Sequence, residues 1–202
     1  MFIAGLPFCG AGTERGTCAT LSSSPQRKAI VLAVHYPPYS GASNFAQRSD
    51  PGLGPTNVQG ARPLSAVLQQ AFAESGQRPD IVVSAHAHLY QRLTYRYADG
   101  WELPCLIAGS GGHAPVEPLF NTCDGSIEPS RAIPFDAVFP KGLTLPDADS
   151  VQVNAYNDDE FGFMRLTIGS GRIEGQFFTA TQQSLTCADV FSLDMTSHRL
   201  ST

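Results

Sequence analysis

The segments AIVLAVHYPPYS, residues 29–40, and DIVVSAHAHLYQR, residues 80–92, share one pattern, in which a short apolar run gives way to histidines. Runs rich in Val and Ile predict buried strands. His35 follows the first run, and His86 and His88 follow the second. Because side chains alternate along a strand, we expect His86 and His88 on one side, about 6.6–7 Å apart at Cα. The three imidazoles predict a metal site at adjacent strand ends.

The sequence between these two strands predicts an amphipathic helix. Apolar residues recur with helical spacing at Leu64, Val67, Leu68, Ala71 and Phe72. Pro63 suits the first helical position, and Gly76 ends the run. Two strands flanking one helix predict a right-handed unit with parallel strands, which brings all three histidines to one edge of a sheet.

The pattern after residue 92 predicts antiparallel hairpins. Residues 93–97 and 101–108 flank Asp99-Gly100, a strong signal for a tight hairpin turn. Residues 164–168 alternate and are expected to pair with residues 173–179 through a Gly-Ser-Gly turn. Residues 1–26 are predicted to be irregular, residues 114–150 to form a long proline-rich loop, and residues 181–202 to form a C-terminal tail.

The two histidine segments resemble the last two motifs of the calcineurin-like metallophosphoesterases, and most closely those of the purple acid phosphatase-like branch. CLIAGSGGH, residues 105–113, and FGFMRLTIGSGRIEGQFFT, residues 161–179, resemble the glycine-rich segment and the closing hairpin that follow in this family. The resemblance implies an α/β fold in which residues 27–180 form the C-terminal part of a two-sheet αββα sandwich. It also implies hydrolysis of a phosphoester with two divalent metals, which could be Zn, Mn or Fe.

The resemblance also implies roles for individual residues. His35 and His86 would bind one metal, and His88 would bind the other. A weaker set would surround these ligands or contact the substrate, and its members are Tyr39, Asn44, Tyr90, Arg92, Gly111, Gly112 and His113. His198 is expected to lie in the terminal tail without a role in the site.

The chain departs from the family before residue 35. The family's Asp-x-His, Gly-Asp-x-x-Asp and Gly-Asn-His motifs are absent, and Glu14 is the only carboxylate in residues 1–34. We therefore expect the chain to lack the bridging aspartate and the catalytic histidine, to need a separate N-terminal half as partner, and to hydrolyse phosphoesters poorly alone. Loss of that half would also bare an apolar face of the sheet.

Two alternatives remain open from the sequence. One is a non-catalytic fragment that serves as a metal-binding or partner-binding module. The other is a hydrolase with a single zinc ion bound by three histidines. The sequence immediately upstream in the genome would discriminate between these and a metallophosphoesterase.

Composition limits the partners that we expect. The chain has 202 residues and a net charge of −5, without clusters of Lys and Arg, which argues against a nucleic-acid backbone as main partner. It has no apolar run long enough for a membrane span and no convincing signal peptide, so we expect a soluble protein of unassigned compartment. Five cysteines without a CxxC pair count against a thiolate zinc site.

Overall fold

The structure is a computed structural model that describes residues 2–5, 28–38, 40, 64–113, 115–117, 133–134 and 150–202. In chain order its elements are β1 (Phe2–Gly5), β2 (Ile30–Ala33), α1 (Leu64–Ser75), β3 (Ile81–Ser84), β4 (Tyr90–Arg96), β5 (Glu102–Ala108), β6 (Ile133–Pro134), β7 (Ser150–Asn157), β8 (Gly162–Ile168), β9 (Arg172–Ala180), β10 (Leu185–Asp194) and β11 (Arg199–Ser201).

The described strands form two sheets. The first has the order β1-β2-β3-β5-β4-β7-β6, and its neighbours β1, β2, β3 and β5 run parallel. Beyond β5 the pairing is antiparallel, between β5 and β4, between β4 and β7, and between β7 and β6. The second sheet is antiparallel with the order β11-β10-β9-β8. The first sheet is therefore mixed, and its parallel half carries the histidine segments.

Apolar side chains cover both faces of the sheet at β2, β3 and β5. One face packs Val31, Ile81 and Leu106 against the second sheet, whose contribution includes Ile173, Phe191 and Leu193. The other face packs against α1 through Leu64, Leu68 and Phe72. The described residues thus form three layers in the order helix, sheet, sheet. The expectation of a bare apolar face at β2 and β3 is wrong, because Ile81 is 0% exposed and Val82 is 1% exposed.

The structure confirms the predicted helix and hairpins. Helix α1 covers the predicted run and ends before Gly76, whose φ of +64° suits a residue without a side chain. Strands β2 and β3 are parallel, with Val31 opposite Ile81. Strands β4 and β5 meet at Gly100, with φ of +84°, and β8 and β9 meet at Gly171, with φ of +89°. Val67 differs from the prediction, because it is 41% exposed.

Two segments differ from the sequence predictions. Residues 2–5, predicted to be irregular, form β1, which pairs with β2 and completes that edge of the sheet. Residues 185–194 and 199–201, predicted as part of a tail, form β10 and β11. Burial of Phe191 and Leu193 against the first sheet explains the second difference, because packing between distant segments overrides a weak local pattern. The predicted loop 114–150 lies mostly outside the described residues.

In the part of the chain that the structure describes, no helix is long and apolar enough to cross a bilayer.

Candidate metal centre

His35 and His86 meet where two parallel strands end. Backbone hydrogen bonds continue the pairing of β2 with β3 beyond the strands, from Val34 N to Val83 O at 3.0 Å and from Ala85 N to His35 O at 3.2 Å. This pairing brings the two imidazoles together, with His86 Nδ1 at 2.9 Å from His35 Nε2. Two nitrogens bound to one tetrahedral Zn²⁺ ion lie about 3.3–3.4 Å apart. The two rings would therefore have to move apart by about 0.5 Å to admit a cation.

The backbone of His86 has an unfavourable conformation. Its φ is +62°, in the left-handed region that costs a residue with a side chain roughly 1–2 kcal/mol. The neighbours Ala87 and Leu89 are both 0% exposed and fix the segment in the core. Tight hydrogen bonds from Ala87 N to Ala85 O and from Leu89 N to Ala87 O hold the turn. Burial of these neighbours therefore offsets the strain at His86 and directs its ring toward His35.

Tyr36 packs against both rings of the pair. Its ring centroid lies 4.8 Å from that of His35 and 4.1 Å from that of His86, in edge-on geometry. These contacts limit rotation of the two imidazoles. Tyr36 was not among the residues predicted for the site, although it directly follows His35 in the sequence.

His88 contacts a different pair of side chains. Its Nδ1 lies 3.8 Å from Oε1 of Glu117, and its ring centroid lies 5.9 Å from that of His113. The amide of Glu117 donates to the carbonyl of His88 at 2.8 Å, which ties the two segments together. The structure thus brings His35 to His86 and sets His88 beside Glu117. Glu117 has no motif in the sequence that would have identified it.

The glycine-rich turn makes a close backbone approach. An ideal Cβ on Gly109 would lie 1.8 Å from the carbonyl oxygen of Ala87, so the position requires glycine. Gly109 N also donates to Leu89 O at 3.0 Å. Gly111 and Gly112 are exposed and leave open space around the positions where a Cβ would stand. Gly109 therefore supports the segment that carries His86 and His88.

Tyr90 and Arg92 lie in the core between the two sheets. Arg92 Nε and Nη2 donate to the two carboxylate oxygens of Asp189 at 2.7 and 2.9 Å, and Tyr90 OH donates to the same carboxylate at 2.6 Å. Tyr90 also stacks on Phe177, with centroids 3.9 Å apart. These groups are 1% and 2% exposed, so their observed contacts are structural and do not reach a substrate. Burial and the Asp189 carboxylate raise the pKa of Tyr90 well above its usual value.

His198 is buried and lies outside the candidate metal centre. Its Nε2 is 3.2 Å from Oδ1 of Asp80, and its ring stacks on Trp101 with centroids 3.2 Å apart. Asp80 also accepts a hydrogen bond from Ile30 N at 2.6 Å. The prediction of a terminal tail at His198 is wrong, because the residue is 3% exposed and contacts the start of the parallel strands.

Two residues that were predicted to surround the metal ligands or contact the substrate, Tyr39 and Asn44, lie outside the described residues. Among the residues that the structure does describe, no three His, Cys, Asp or Glu side chains are already grouped as ligands of one metal ion. Comparisons with known protein families and with curated proteins found no match for this chain.

Proposed function

We propose that this chain contributes to metal-dependent hydrolysis of a phosphoester, with His35 and His86 as ligands of a divalent cation such as Zn²⁺, Mn²⁺ or Fe²⁺. The observation that carries the proposal is the 2.9 Å separation between His86 Nδ1 and His35 Nε2. Two imidazole nitrogens at this distance share either a proton or, after a small shift, a metal ion. The sequence resemblance described above supplies the class of reaction.

The position of the pair supports a ligand site. His35 and His86 follow β2 and β3, at the carboxyl edge of the parallel half of the sheet. Ligands of open α/β sheets bind outside this edge. The left-handed backbone of His86 adds support, because strain of this kind is concentrated at functional sites. The helix, sheet, sheet order of the described residues is compatible with part of an αββα sandwich, which belongs to the same proposal.

The chain's own residues have defined tasks in this proposal. A bound divalent cation supplies charge neutralisation at the phosphoryl oxygens and lowers the pKa of water. His35 and His86 each offer one ring nitrogen and must be neutral to do so. Tyr36 holds the two rings in orientation by edge contacts. The buried neighbours Ala87 and Leu89 fix the backbone that carries His86.

Turnover of an aryl phosphate tests the proposal. The purified chain would be assayed with Zn²⁺ or Mn²⁺ beside His35→Gln, His86→Ala and the matched control Glu174→Gln, whose side chain is 55% exposed. We expect slow turnover that requires metal and disappears in both histidine variants but not in the control. We expect it to be slow because bridging and charge-stabilising groups contribute orders of magnitude in rate. Turnover that does not require metal, or that persists in His86→Ala, would refute the proposal.

A non-catalytic metal-binding module is the second candidate. The observation that favours it is the lack of a preformed group of three ligands among the described residues. Metal binding that depends on His35 and His86, without any phosphatase turnover, would support this candidate. Robust turnover lost in His86→Ala would instead favour the hydrolase with a single zinc ion.

A further inference from the structure

We propose that two copies of this chain pair through β8, antiparallel across a two-fold axis at Leu166, and join their second sheets into one continuous sheet. This inference goes beyond the proposed function and does not depend on it. Its basis is an open strand edge. Strand β8 is the last strand in the order β11-β10-β9-β8, and none of the described strands pairs with its other side.

The hydrogen bonds around β8 show which of its backbone groups are available to a second strand. At the turn into β9, Gly169 N donates to Arg172 O at 2.9 Å, so odd-numbered residues of this register bond to β9. Even-numbered residues point the other way, because the direction alternates along an antiparallel pair. Gly162 N accordingly donates to Ser110 O at 2.9 Å, outside the sheet. The amides and carbonyls that point to the open edge are those of Met164, Leu166 and Ile168.

Strand β8 lacks the features that keep edge strands from pairing. Protected edges are short, carry Lys or Pro, or are bent by a bulge. Strand β8 has 7 residues, contains neither Lys nor Pro, and pairs with β9 without a shift of register. Its charged side chain, Arg165, lies over its own sheet, where Nε donates to Gln176 at 2.9 Å and the guanidinium lies above the ring of Phe178. The opposite edge, β11, has only 3 residues.

Apolar side chains on the inner face of β8 remain partly exposed. Met164, Leu166 and Ile168 pack against the core between the two sheets, but each keeps part of its surface in water. In the paired arrangement Leu166 faces Leu166 of the second copy, and Met164 faces Ile168. Each contact covers apolar surface, which favours association. The core of one copy would therefore continue into that of the other.

The outer face of β8 is complementary to itself in this register. Phe163, which is 48% exposed, would face Gly169 of the second copy, where an added Cβ would meet no described atom closer than 3.8 Å. An aromatic ring beside a glycine on the neighbouring strand is a favourable pair. Arg165 would face Thr167, whereas an axis placed at Arg165 would set two arginines against each other. The axis at Leu166 therefore avoids repulsion between like charges.

Sedimentation velocity over about a hundredfold range of protein concentration tests the dimer. We expect a monomer–dimer equilibrium whose Kd rises about tenfold or more in Leu166→Lys, because two lysines would face each other across the axis. The matched control is Leu200→Lys, the same change at a partly buried residue of β11 that packs against the same core. This control should leave the Kd unchanged. A dimer that persists equally in Leu166→Lys would overturn the proposal.

Amide hydrogen exchange of the unchanged protein tests the same edge without a variant, and so decides the matter if Leu166→Lys does not fold. The amides of Leu166 and Ile168 should exchange slowly when the dimer is populated and fast in the dilute monomer. The amide of Arg165, which bonds to β9, should exchange slowly in both. A monomer at every concentration would overturn the proposal. Slow exchange of Leu166 in that monomer would show that another segment of the same chain covers the edge.

Discussion

Arg92 on β4 and Asp189 on β10 join the two sheets by a two-point ion pair, although they are 97 residues apart in the chain. A bulge between Cys187 and Asp189 shifts the register of β10 where this carboxylate meets the first sheet. Arg92 follows the His86 and His88 segment by only a few residues. The ion pair therefore anchors the strand that leads directly out of the candidate metal centre.

Removing the charge of Asp189 should destabilise the protein strongly. In Asp189→Asn the guanidinium of Arg92, whose side chain is 3% exposed, loses its anionic partner in the core. Breaking one side of a buried pair costs about 3–5 kcal/mol in the free energy of unfolding. Urea denaturation would measure this loss. The free energy of unfolding of the control Glu174→Gln should lie within about 0.5 kcal/mol of that of the unchanged protein. Equal, small effects of both variants would show that the pair does not support the fold.

Tyr90 should make stability fall at alkaline pH. Burial first, and then Asp189, raise the pKa of this phenol above its usual value of 10.0, so the folded state keeps the proton that the unfolded state loses. This stabilisation is complete below about pH 10 and declines as the pH rises toward the folded-state pKa. In denaturation experiments from pH 8 to 11, the free energy of unfolding should fall less steeply with pH in Tyr90→Phe than in the unchanged protein. Tyr156→Phe, which removes a phenol whose pKa is raised less, should change the slope less.

Gly109 should be intolerant of a methyl group. A Cβ there would overlap the Ala87 carbonyl, which cannot move without displacing the segment between His86 and His88. We expect Gly109→Ala to lower the free energy of unfolding by about 1–3 kcal/mol and to weaken metal binding. Gly111→Ala is the control, since open space surrounds that position. Chemical denaturation and Co²⁺ titration of both variants would detect the difference, and equal behaviour would contradict the close approach.

His198 should stabilise the end of the sheet opposite the candidate metal centre. His198→Ala removes the contact with Asp80 and the stack on Trp101, with an expected loss of about 2–4 kcal/mol. Trp101 is the only tryptophan, so its fluorescence should report the lost stack directly. Thr196→Ala, in the same turn, should leave the fluorescence unchanged. An unchanged spectrum in His198→Ala would contradict the observed stacking.

The elements that depend on near neighbours in the chain could be predicted from the sequence. Periodic apolar residues and turn glycines predicted α1 and the hairpins of β4 with β5 and β8 with β9, because these depend on neighbours within a few residues. It also placed His35, His86 and His88 at the ends of apolar runs. The two strands are adjacent as expected, since one helix connects them.

Contacts between side chains that are distant in the chain could not be predicted from the sequence. The pairing of β1 with β2, the burial of His198, the contact of His88 with Glu117 and the ion pair of Arg92 with Asp189 join segments without a shared local pattern. The same holds for the left-handed backbone of His86, which persists because buried neighbours fix the turn. Such features depend on the path of the whole chain and on packing between layers, which a local sequence pattern does not encode.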